Sequence, residues 1–210
     1  MHQSKINNLK FDTIFDGICK CLRNAQELCD ESEILHTHGK FARSYALSHL
    51  AREEFGKCFM LSRILIDVSA GIKVDWKKLN RRFRSHDQKI INDAAISTAL
   101  FGQEWKKLGL PLDSMFIGID FKNNRKNSCL YTDWQDGAFA LPSDIITKRQ
   151  SERNLSLAIY RVTELGPQLL KLEGLKSISK KQVRAIYPED MFSDLDLDKF
   201  LESMSRLKHR

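Results

Sequence analysis

Between Lys73 and Lys89 the chain sets seven lysines and arginines (73, 77, 78, 81, 82, 84 and 89) against two aspartates and places His86 among them. An unperturbed imidazole titrates at about pH 6.5, so it can take or give a proton during a reaction, and fixed cations beside it offset negative charge that develops in a transition state. His86, Arg81, Arg82, Arg84 and Lys89 are therefore the first residues to consider. Lys126 and Tyr131, with Trp134, form a second group. An ammonium and aromatic rings can grip a phosphate backbone and stack on a base, although such rings also anchor loops. Glu53 and Glu54 are candidate catalytic carboxylates, or partners of Arg52 and Lys57 along one helix. A glutamate here that turned inward would hold a cation from the basic segment and couple the two regions.

Other chemistries fit poorly. Glu33 and His36 give one Glu-x-x-His, where a carboxylate-bridged di-iron bundle needs two. His36/His38 and Cys19/Cys21 are spaced by two and point to different sides of a helix, unsuited to one zinc. No Walker-type glycine loop and no Gly-x-Ser-x-Gly is present. The sequence thus predicts neither metal nor cofactor.

The elements that must position these residues are helical. Phe11, Ile14, Phe15, Ile18, Leu22, Ala25 and Leu28 recur at three and four residues, predicting a first helix over about 7–38, with Gly39 as its cap. A second helix is expected over about 41–70 and is closed by Gly71. Two such long helices joined by almost nothing make an antiparallel hairpin. Asp75 is a good N-cap for a third helix, expected to carry the basic segment and to continue towards Trp105. On a regular helix Arg82, His86 and Lys89 share a face, whereas Arg81 lies about 140° from His86. Residues 110–142, rich in glycine, proline and asparagine, read as a long ordered loop with room for short strands. A fourth helix is expected from Ser143 until Gly166-Pro167 breaks it. Shorter helices are expected near 179–187 and 196–208. The fold class is therefore all-α, an antiparallel bundle with one irregular loop insertion, with 1–165 as the main domain and 166–210 packing on it.

Composition narrows the setting. The net charge of +7 and pI near 9.2 favour an acidic partner. The odd set of five cysteines fits reduced thiols. No apolar run of membrane-spanning length and no signal-peptide core is present, which places the chain in the cytoplasm and away from membranes.

Three local patterns then line up. Arg23-Asn24-Ala25 leads through His38-Gly39-Lys40-Phe41-Ala42-Arg43-Ser44-Tyr45-Ala46-Leu47 to Ala51-Arg52-Glu53-Glu54-Phe55-Gly56-Lys57. Phe83-Arg84-Ser85-His86-Asp87-Gln88-Lys89 follows, then Lys126-Asn127-Ser128-Cys129-Leu130-Tyr131-Thr132-Asp133-Trp134. In this order and spacing, over roughly residues 10–150, the chain resembles the AbiV family of abortive infection proteins within the HEPN superfamily. The resemblance implies a HEPN-like helical fold, a homodimer, and an antiphage effector that arrests translation, with a phage-encoded protein as candidate activator and RNA as candidate substrate. Many HEPN proteins are metal-independent ribonucleases that use an arginine, four to six residues, then a histidine. Arg81 and His86 meet that pattern, as transition-state cation and as base or acid. The alternative is a non-catalytic protein that recognises a phage protein or the translation machinery.

Overall fold

The computed structural model describes residues 6–86, 88, 89, 91–93, 107, 125–135 and 137–187. Its frame is the expected hairpin of α1 (Phe11–Thr37) and α2 (Phe41–Ala70). Ile14, Ile18 and Leu22 of α1 interleave with Phe55, Cys58, Leu61 and Leu65 of α2. Full burial of each large aliphatic side chain contributes about 1.5–3 kcal/mol. Both helices end on a glycine with positive φ, Gly39 at 72° and Gly71 at 69°, a conformation that costs other residues a steric penalty. This is the all-α antiparallel bundle read from the sequence.

The third helix differs from expectation. α3 (Trp76–Arg84) starts as predicted, with the Asp75 carboxylate accepting from the Lys78 amide at 2.9 Å. It then stops at Ser85, whose backbone is extended (φ −83°, ψ 123°). Helix resumes at His86. The Ser85 hydroxyl accepts from the Gln88 amide at 3.3 Å and its carbonyl accepts from the Lys89 amide at 3.4 Å. Ser85 thus acts as the N-cap of a new helical segment. The continuation expected beyond Asp93 lies outside the described residues, as do 110–124 of the long loop.

Residues 125–128 form a helical turn. A small antiparallel ribbon follows, β1 (Asp133–Gln135) with β2 (Ala138–Ala140), in which Trp134 faces Phe139. The fourth helix begins later than predicted. Pro142–Ile145 makes a single turn, α4, and α5 (Lys148–Tyr160) starts after Thr147. The Thr147 side chain accepts from the Gln150 amide while the Gln150 side chain accepts from the Thr147 amide. This reciprocal pair is a stronger start signal than Ser143. Ile146, buried between the two helices, packs with Tyr45, Ala46 and Cys129.

Gly166-Pro167 does not break the chain's helical path. A π-turn over Arg161–Leu165 leads directly into α6 (Gly166–Leu170), and Gly166 itself is helical at φ −52°, ψ −51°. The wider turn gives the proline ring the room that a regular helix denies it. α6 returns Leu169 to the main core. A 3₁₀ segment (Lys171–Ser177) and α7 (Lys180–Ile186) then lay Leu175 and Val183 against Ile66 and Ala70 of α2. The helix expected at 196–208 lies outside the described residues. Among the described residues no helix is long and apolar enough to cross a membrane.

Candidate functional site: a surface histidine on a buried carboxylate

One face of α2 carries Tyr45, His49, Arg52, Glu53 and Gly56, spaced by three and four residues. Gly56 admits the segment that follows Ser85: a Cβ built there would lie 2.8 Å from the Lys89 carbonyl oxygen. Only a residue without a side chain lets the two backbones approach so closely. That approach sets His86 and Lys89 over Glu53.

Glu53 is 3% exposed and sits at the centre of four nitrogens. His86 Nδ1 lies 2.7 Å from Oε2, Lys126 Nζ 3.0 Å from Oε1, Lys89 Nζ 3.4 Å from Oε2, and His49 Nε2 3.5 Å from Oε1. Burial works to push the Glu53 carboxyl up, but hydrogen bonds from Lys126 and His86 and the nearby positive charges outweigh it and hold the group below the ordinary carboxylate range. Lys89 and Lys126 are themselves buried, whereas the side chain of His86 is 53% exposed. A charged core therefore ends at the surface in one imidazole.

A second buried ion group adjoins the first. Asp93 pairs with Arg52, and its Oδ1 lies 2.5 Å from Nε of Arg161, which is 1% exposed. Arg52 also donates to Asn154 Oδ1 at 2.5 Å, and Asn154 donates to the Tyr45 carbonyl and the Ser48 hydroxyl. Burial pulls the Arg161 guanidinium down to about 10 despite Asp93. For Arg52 the Asp93 carboxylate outweighs burial and raises it. His49, Arg52, Glu53 and Asp93 line a cavity of about 10 Å³, room for the centre of one water-sized molecule. Among the described residues neither ring nitrogen of His49 has a hydrogen-bond partner. Burial, then the Arg52 charge, lowers His49 to about 4 against the pull of Glu53, so its ring is neutral at physiological pH.

The structure thus brings together His86 and Lys89 of one segment, Lys126 and Glu53, from three separate stretches of the chain. Glu54 turns away and pairs with Lys57, whose ammonium lies 5.5 Å from the centre of the Phe83 ring. Arg82 donates to Asn92 at 3.3 Å. Arg81 and Arg84 are exposed on α3, on the other side of the Ser85 break from His86, so a single helical wheel does not relate them to it. Among the described residues Arg81 makes no hydrogen bond or ion pair. Tyr131 is exposed beyond the turn that carries Lys126, as are Trp134 and Phe139, whose rings meet edge-on at 5.0 Å.

His49, Asp93, Asn154 and Arg161 are site residues that the sequence reading did not single out. The four-residue spacing of His49 and Glu53 on one helix was the available signal for the first. Asp93 and Arg161 meet across 68 positions, which no local pattern reports. No curated protein and no solved structure matches the chain. A family model described as AbiV, of HEPN type, matches residues 13–162, well over half of the chain and all of the Glu53 cluster, and the chain belongs to that family.

Proposed function

We propose that this protein is an antiphage effector that cleaves RNA without a metal, with His86 as the residue that moves the proton, and thereby arrests translation in the infected cell. Family membership supports a general RNase-type or toxin-type effector role in phage defence. The observation that carries the finer reading is the exposed His86 ring, fixed by one nitrogen to a buried carboxylate and backed by two buried ammoniums. In the reaction, His86 takes the ribose 2′-hydroxyl proton, the 2′ oxygen bonds to phosphorus, and the bond from phosphorus to the 5′ oxygen breaks. The 5′ oxygen leaves with a proton from solvent, giving a cyclic phosphate and a 5′-hydroxyl. Arginines of α3, Arg81 first among them, are the proposed cations for the phosphorane, and Arg82 and Arg84 are proposed RNA contacts. A homodimer and a phage-encoded activator are the partners proposed with this activity.

The test is cleavage of total RNA and tRNA by the purified chain, with lysate from infected cells added as the source of activator. His86→Ala should lower cleavage by at least about a hundredfold, the usual scale for a general base, and abolish protection of cells. Because the side chain is more than half exposed, melting should barely change.

A second reading rests on a different observation. Tyr131, Trp134, Phe139 and Leu141 are all exposed, a patch of the kind that marks a docking surface. A non-catalytic protein that recognises a phage protein or the translation machinery would lose protection in Trp134→Ala and keep it in His86→Ala. The nuclease reading requires the opposite for His86.

A further inference from the structure

His86 has two ring nitrogens, and which one carries the proton decides what it can do. Among the described residues two groups lie near Nδ1: Glu53 Oε2 at 2.7 Å and Lys126 Nζ at 3.3 Å. An ammonium can only donate and an ionised carboxylate can only accept. Nδ1 therefore either carries a proton and donates to Glu53, or is bare and accepts from Lys126. A bare Nδ1 would set its lone pair against carboxylate oxygen at the shorter of the two distances, with repulsion and no compensating bond. A protonated Nδ1 makes a short charge-assisted hydrogen bond. Lys126 has Glu53 Oε1 to donate to at 3.0 Å and loses nothing.

We infer that Glu53 is the positioning residue of the site: it holds the neutral His86 ring with its proton on Nδ1 and turns bare Nε2 outward as the accepting nitrogen. Free neutral histidine favours the other tautomer, with the proton on Nε2, which could not act as a base from the exposed edge. The inward carboxylate reverses that preference. Lys89 and Lys126 keep Glu53 charged, and α2 with the Gly56 contact keeps it in place. The role rests on the reading of His86 as the base in RNA cleavage, but the tautomer can be measured without any RNA.

The experiment is long-range ¹⁵N–¹H correlation of the full chain labelled at histidine nitrogen, at a pH where the ring is neutral, with His86 assigned by its loss in His86→Gln. The expected spectrum shows a protonated Nδ1 and a bare Nε2 for His86. Glu53→Gln leaves two buried ammoniums short of a counter-charge, so Glu53→Asp is measured beside it. That variant keeps the charge and draws the acceptor back by one carbon–carbon bond, about 1.5 Å. In Glu53→Asp the ring should revert towards the Nε2–H form, and kcat for RNA should fall by about tenfold or more with KM within about twofold. A wild-type His86 protonated on Nε2 overturns the inference by itself, whatever the variants do. So does a Glu53→Asp chain with wild-type tautomer and wild-type kcat. An Nδ1–H ring in a chain that cleaves no RNA supports the positioning and overturns the nuclease reading instead.

Discussion

Asp93 carries more of the fold than its single charge suggests. It pairs with Arg52 of α2 and with Arg161 of the π-turn, and it is 3% exposed. Removing one partner of a buried ion group costs about 3–5 kcal/mol, because the remaining charges stay out of water. Asp93→Ala should therefore lower unfolding free energy by about that amount in urea titration, well beyond the effect of His86→Ala. The contrast separates two jobs within one cluster: Asp93 holds the segment down, and His86 meets solvent. Glu53 serves both, since it is buried like Asp93 and touches the exposed ring.

At the scale of elements, the contact between Gly56 and the Lys89 carbonyl fixes how near the His86 segment comes to α2. Gly56→Ala places a methyl 2.8 Å from that oxygen, and the backbone must move. The expected cost is about 1–3 kcal/mol, the range for overpacking. RNA cleavage should fall with it, while circular dichroism keeps the helical signal; preserved cleavage and stability would show that the segment sits farther away. The long hairpin was legible in the sequence because Gly39 and Gly71 end two strongly periodic segments. Asp75 announced α3 in the same way. The Ser85 break was not legible, because the basic residues on both sides suit a continuous helix and only the hydroxyl's local hydrogen bond favours a restart. The start at Thr147 is written in the sequence as a Thr-x-x-Gln box, and Pro142-Ser143 competes with it as an earlier start signal that closes only a single turn. As for the site, His86, Lys89, Lys126 and Glu53 were each visible as residue types, whereas their convergence depends on an approach of backbones that periodicity does not encode.

The whole molecule should show its charged core in acid. His49 is neutral and buried with its pKa lowered to about 4, whereas in the unfolded chain it binds a proton at about 6.5. Between those values the unfolded state holds more protons, so stability present above pH 6.5 is lost as pH falls towards 4, by on the order of 3 kcal/mol. The Glu53 carboxylate, also depressed, adds a loss that begins as pH falls through the ordinary carboxylate range, where the unfolded chain takes up the proton, and is complete below its lowered folded value. Thermal melts from pH 7.5 to 4 should drop most steeply below 6.5, and His49→Gln should flatten that upper part of the curve. The π-turn at Arg161–Leu165 bears on the molecule in another way. Arg161 and Leu169 both face inward, yet eight residues of regular α-helix would set them about 80° apart. The wide turn takes up that angle, acting as a phase shifter between two halves of one rod. One half is set by the ionic lock on Asp93 and the other by the apolar core that α1 and α2 share, so neither half has to compromise its own rotation for the other.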